Sequence, residues 1–234
     1  MLIVLPPSET KAWGGDGPAL DVDKLSFPEL NTVRRDLLRI LSHMTDAQAM
    51  KNLGLSEKQL AEAVANRELL SSPTMPAILR YTGVLYDALC AESLPPSALD
   101  KLAVGSALFG LVRANDMIPH YRLSGGSKLP RSTKTMKARW GTRITTALSA
   151  EKGLIVDLRS GTYQQLGPVK DAVTVRVEKD GKVVSHFNKH YRGLVARELV
   201  LAEPSHSVEQ VIAVLEAAGM SVERRSHWEL CLIV

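Results

Sequence analysis

Apolar residues follow two rhythms along this chain. In the first half they recur every three or four positions, as a helix facing a core requires. Leu30, Val33, Leu37, Ile40, Leu41 and Met44 form one such stripe, and Ser26 with Glu29 makes a capping box at its start. Two short helices follow, opened by Thr45 with Gln48 and by Ser56 with Gln59, and Leu53-Gly54-Leu55 joins them. Thr74 opens a further predicted helix through Tyr81, Leu85 and Leu89, entered past Pro73 and Pro76. Residues 2–5 are an unbroken apolar run closed by Pro6-Pro7, the mark of a buried strand, and a glycine-containing loop occupies 8–18.

The second half alternates strand and helix. Strands are predicted at 102–107, 154–158 and 230–234. Val173–Val177 and Val183–His186 flank Lys179-Asp180-Gly181-Lys182, a hairpin pattern. Met136, Trp140, Ile144 and Ala147 line one face of a helix of about four turns. A helix over 187–201 places Tyr191, Leu194, Val195 and Leu199 on one side, and Ser207 with Gln210 caps another that Gly219 ends. No repeat or linker interrupts the pattern. It predicts one α+β domain, a single mixed α/β unit over residues 1–234, with the helical stretch 45–70 as an insertion within it.

Composition narrows the class. The 234 residues are 45% hydrophobic and 23% charged, enough apolar material for a sizeable core, which excludes disorder as the main state. No apolar run reaches the ~18 residues of a membrane span. Two distant cysteines, Cys90 and Cys231, and an N-terminus without a basic leader predict a cytoplasmic protein with packed thiols. The net charge of +4 is unevenly spread. Residues 113–143 hold eight basic groups against one acid, a net of +7, which leaves 21 basic and 24 acidic residues, a net of −3, elsewhere. A stretch so positive attracts phosphate, unless it is only a loop facing water.

Four features bear on chemistry. The Leu53-Gly54-Leu55 turn between short helices has the form of a helix-hairpin-helix, whose glycine permits the tight turn and whose second helix meets a phosphate without regard to sequence. Its candidate residues are Lys51, Gly54, Ser56 and Lys58, although any tight αα-hairpin can use such a glycine. On the 187–201 helix Lys189, Arg192 and Arg197 fall opposite the apolar side. The loop Pro7-Ser8-Glu9-Thr10-Lys11, directly after the first strand, offers two hydroxyls and an ammonium, without the spacing of a Walker loop. His186 and His190 have HxxxH spacing but no further ligand nearby, so no metal site and no cofactor is expected.

The blocks Pro6–Lys11, Leu108-Phe109-Gly110-Leu111-Val112-Arg113, Pro119-His120-Tyr121-Arg122-Leu123, Ala138–Gly141 and Lys189–Arg197 occur in an order that resembles the YaaA family of peroxide-stress proteins. Ser124-Gly125-Gly126 departs from the family pattern, marking a divergent member. The resemblance implies a compact α/β domain with a positively charged cleft, a helix-hairpin-helix-like element, DNA binding, and a role in limiting peroxide damage linked to intracellular iron. Carried over by position, the cleft would draw on Lys11, Arg113, Tyr121, Arg122, Ser160, Tyr163, Lys189, Arg192 and Arg197. The leading expectation is therefore a DNA-binding protein with little sequence preference. The alternative is an enzyme acting on a phosphorylated or nucleoside-like small molecule held in that cleft.

Overall fold

The run Leu2–Leu5 forms β1, buried along its whole length, because strands covered on both faces must be apolar throughout. The computed structural model describes residues 1–179, 181–183 and 185–234. After β1 come β2 (Gly17–Ala19), α1 (Asn31–Ser42), α2 (Asp46–Leu53), α3 (Leu60–Arg67) and β3 (Pro73–Pro76). Then follow α4 (Ala77–Arg80), α5 (Val84–Leu89), α6 (Pro96–Leu99), β4 (Leu102–Ser106), β5 (Gly110–Arg113) and β6 (Met117–Ile118). Next are α7 (Met136–Trp140), α8 (Arg143–Ser149), β7 (Ile155–Asp157), α9 (Gly161–Leu166), β8 (Val173–Lys179) and β9 (Lys182–Val183). The chain closes with α10 (Ser185–Leu201), α11 (Val208–Ala217), β10 (Ser221–Arg224) and β11 (Glu229–Ile233).

The main sheet runs β10-β11-β8-β7-β1-β4-β5, with β9 beside β8. Its centre, from β11 to β4, is parallel, and antiparallel strands close both edges. A small sheet, β2-β3-β6, stands apart. The result is a single α+β domain. The parallel register matters for function, because Leu5, Ser106 and Asp157 all finish their strands at the same edge, where open parallel sheets hold ligands.

Local signals placed many elements correctly. Thr45 and Gln48 form a full capping box, Gly54 ends α2 in the left-handed conformation (φ 67°), and Ser56 pairs with Gln59. Ser207 accepts from the Gln210 amide at the start of α11. Other expectations are corrected. Ser26 does not cap a helix; its amide and hydroxyl bind the Asp116 carboxylate, and α1 starts only at Asn31. Thr74 lies in β3, its hydroxyl donating to the Pro18 carbonyl (2.7 Å), and the helix expected there is two, α4 and α5, parted around Gly83 at φ 98°. The four-turn helix is likewise two, broken at Gly141 with φ 56°, although Met136, Trp140, Ile144 and Ala147 are all buried. β9 is shorter than expected, since α10 already begins at Ser185. The side chain of His186 lies outside the described residues. Cys231 is buried, whereas Cys90 is exposed at the end of α5, not packed.

α10 crosses α5 so closely that a Cβ on Gly193 would overlap the Leu85 carbonyl oxygen. This crossing fixes which residues of α10 face the sheet.

Candidate functional site

β1 delivers the chain to Pro6–Lys11, which turns back across the ends of the parallel strands. Lys11 forms an antiparallel bridge with Tyr81, and the Ala12 amide donates to the Arg80 carbonyl (2.8 Å). These bonds aim the Lys11 side chain inward, where the residue is only 7% exposed. Its Nζ donates to the carbonyls of Ser8 (2.9 Å) and Glu9 (3.4 Å), and lies 4.4 Å from the centre of the Tyr121 ring. Among the described residues it has no carboxylate in ion-pair contact. Burial pulls its pKa down to about 7; Glu62 and Glu9 oppose the fall, and Arg122 and Arg80 add to it. A lysine so placed is neutral in a large fraction near pH 7, which makes it a nucleophile or base.

Next to this amine lies a chain of buried hydroxyls. Ser106 Oγ is 2.7 Å from the Tyr121 hydroxyl, which is 2.8 Å from that of Tyr81. Ser106 Oγ already accepts from the amides of Leu108 and Phe109 (3.2 and 3.0 Å), so both its lone pairs are used. Its proton therefore goes to Tyr121, Tyr121 donates to Tyr81, and the Tyr81 proton is the free end of the chain. Burial raises the pKa of both phenols, so both stay protonated.

Arg122 borders the same place. It donates to the Glu9 carbonyl (3.2 Å) and to Glu9 Oε2 (3.3 Å). Its own backbone is clamped by Asn66 of α3, whose side-chain amide donates to the Arg122 carbonyl (2.8 Å) and whose oxygen accepts from the Arg122 amide (2.9 Å). Two further bonds hold α3 here: Glu62 pairs with His120 (2.8 Å), and the other ring nitrogen of His120 lies 3.0 Å from the Ala12 carbonyl. Tyr163 accepts from the Gly125 amide (3.2 Å), and Ser160 begins the same helix, α9.

The remaining expected residues divide. Arg192 turns inward, donating to the carbonyls of Leu158 (3.2 Å) and Arg159 (3.3 Å) just beyond β7. Lys189 is exposed one turn earlier on α10. Arg197 is not with them: it caps the far end of α5 through Leu89, Cys90 and Ser93. Arg113 lies at the opposite edge of the sheet, since antiparallel β5 pairs it with Ala103, and it is bound bidentately by Glu151 (2.7 Å). Lys11, Tyr121, Arg122 and Tyr163 thus come together, with Ser160 and Arg192 alongside, while Arg113 and Arg197 serve other places. Periodicity had put Arg192 and Arg197 on a solvent face; long guanidinium side chains instead reach back to carbonyls. Tyr81, Ser106, Glu9, Glu62 and His120 were not among the expected site residues, although Glu9 and His120 lie in the quoted blocks Pro6–Lys11 and Pro119–Leu123.

The hairpin residues Lys51, Gly54, Ser56 and Lys58 are all exposed around the α2–α3 turn. The Lys128 amide donates to the Asn52 carbonyl (3.3 Å), seating the basic loop against the end of α2.

A family model described as peroxide stress protein YaaA matches residues 1–225. The chain belongs to the YaaA family. It is 58% identical to a UPF0246 protein of Corynebacterium glutamicum over 244 aligned positions, covering all of both chains. A UPF0246 protein of Streptomyces coelicolor is 39% identical, over all of this chain and 98% of its own length. A Campylobacter jejuni protein is 32% identical over 83% of this chain and 82% of its own. Membership of the YaaA family agrees with a role in oxidative stress. Among the described residues of this YaaA-family chain, no helix is long and apolar enough to cross a membrane, and no three His, Cys, Asp or Glu side chains gather as metal ligands.

Proposed function

We propose that this protein binds duplex DNA without strict sequence preference, as part of a peroxide stress response that limits iron-mediated damage. The supporting observation is the state of its cations. Of the eight basic groups in residues 113–143, Arg113, Arg122 and Arg139 are engaged by Glu151, Glu9 and Asp36. Lys128, Arg131, Lys134, Lys137 and Arg143 are exposed, and none has an acidic partner among the described residues. The Lys128–Asn52 bond joins this free charge to the glycine turn that presents Lys51 and Lys58. Such a surface suits phosphate oxygens, which are alike at every base pair.

The test is a titration of labelled duplex DNA at several salt concentrations. Affinity is expected to fall steeply with salt, by about one unit of log–log slope for each phosphate contacted. Replacing Lys128, Arg131 and Lys134 by alanine is expected to flatten that slope. Absence of binding at low salt, or a flat response, would remove the reading. Survival of peroxide challenge by cells carrying the same variant links binding to protection.

The convergence of Lys11, Arg122 and Tyr163 favours a second reading, an enzyme acting on a phosphorylated or nucleoside-like small molecule at the strand ends. Mass spectrometry of the protein purified under mild conditions tests it, and recovery of no such molecule, with no thermal shift by nucleotides or sugar phosphates, counts against it.

A further inference from the structure

We propose that Lys11 is a carbonyl-capturing amine that condenses with the aldehyde of a phosphorylated sugar to form a Schiff base. The inference deepens the small-molecule reading and does not depend on DNA binding. It rests on the way the lysine is held. Two directions of Nζ are taken by the Ser8 and Glu9 carbonyls, and among the described residues no carboxylate makes an ion pair with it. The rings of Tyr81 and Tyr121 lie 5.5 and 4.4 Å away and exclude water from it. A structural lysine of this length is normally left at the surface or paired, because an isolated buried ammonium is costly. This one is kept dry at the edge of a parallel sheet where ligands bind.

The neighbouring groups supply what the condensation needs. Nζ attacks the aldehyde carbon and forms the N–C bond. One proton passes from nitrogen to the former carbonyl oxygen, giving a carbinolamine. The remaining N–H proton then passes to that hydroxyl, which leaves as water as the C=N bond forms. No electrons are gained or lost. The Tyr81 hydroxyl, the free end of the Ser106–Tyr121–Tyr81 chain, is the local hydrogen-bond donor for the departing oxygen. Arg122, whose ties to the exposed Glu9 are long (3.2 and 3.3 Å), is the cation for the phosphate. The same aldehyde chemistry has two sources, a free sugar phosphate or the opened sugar of an abasic site in DNA. α3 belongs both to the hairpin and, through Asn66, to the Arg122 segment, so the second source fits beside the proposed DNA surface.

The experiment traps the adduct on the full-length wild-type protein. One arm contains glyceraldehyde 3-phosphate, another a duplex with one abasic site, and a third the intact duplex. Cyanoborohydride reduces any C=N bond to a stable secondary amine, and peptide mass mapping locates it. Labelling of Lys11 is expected at least about tenfold above that of Lys51, Lys58 and Lys128, which are exposed on the surface. An adduct in the first arm alone names the free sugar phosphate; one in the second alone names damaged DNA. No Lys11 adduct in either arm, or labelling no greater than at the exposed lysines, overturns the proposal. Anisotropy on the intact duplex is measured in parallel: binding without capture removes only this inference, and capture without binding removes only the DNA reading. A Lys11→Met variant is expected to lose the adduct with its circular dichroism unchanged, although the wild-type map alone decides.

Discussion

Two buried cations stand at the ends of neighbouring parallel strands, Arg159 after β7 and Lys11 after β1. Arg159 is surrounded by acceptors. Asp157 grips it through both oxygens (2.8 Å each), and the carbonyls of Gly167 (2.8 Å) and Tyr163 (3.2 Å) take the rest. Lys11 has two carbonyls and two aromatic rings. The same edge of the sheet therefore treats one cation as a fixed structural charge and leaves the other able to lose its proton. The difference teaches that burial alone does not mark a functional residue; burial with an incomplete set of acceptors does. Arg34 and Arg80 agree with Arg159, since carbonyls of Phe109, Leu111 and Ser26 occupy the first, and those of Ile118, Ala12 and Gly14 the second.

The largest effect is expected from removing the partner of the fixed charge. Asp157→Ala leaves the Arg159 guanidinium buried and unpaired, a loss of about 3–5 kcal/mol by urea denaturation. A loss below ~1 kcal/mol would erase the contrast with Lys11. Lys11→Met, which keeps the volume and discards the desolvated amine, is expected to change stability by less than ~1.5 kcal/mol in either direction.

Lys11 also makes stability depend on pH. The folded Lys11 pKa of about 7 lies below its ordinary value of 10.5. Between those values the unfolded chain carries a proton that the folded chain does not, so stability from this group rises with pH. Well below pH 7 both states are protonated and the contribution is flat. The denaturation free energy of the wild type minus that of Lys11→Met is expected to climb from pH 7 to 9 by at most about 1.4 kcal/mol per unit. A level difference across that range would mean that Lys11 keeps its proton in the folded chain.

Helix caps and the β1 run were legible in the sequence because their signals are local. Thr45, Ser56 and Ser207 each find their partner three residues on, and Gly54 needs only its own backbone. The site was legible only in part. Lys11 stood out as the cation after a buried strand, but its ring partners Tyr81 and Tyr121 are supplied by segments 70 and more residues away. Arg113 and Arg122 look equivalent as members of one basic stretch. Only the antiparallel turn into β5 sends the first to the opposite edge of the sheet.

Exposed cations complete the series with the smallest effect on the fold. Lys128, Arg131 and Lys134 carry the same charge as Arg159 yet meet water rather than protein, so replacing each by alanine is expected to shift stability by less than ~0.5 kcal/mol. Their loss is expected to appear in the salt dependence of DNA binding instead, since a phosphate contact is felt only when the ligand is present. Measuring both quantities on the triple variant separates the two roles of positive charge. Unchanged denaturation with a flattened salt slope assigns the loop to a partner. Lost stability with an unchanged slope assigns these cations to the fold, alongside Arg159.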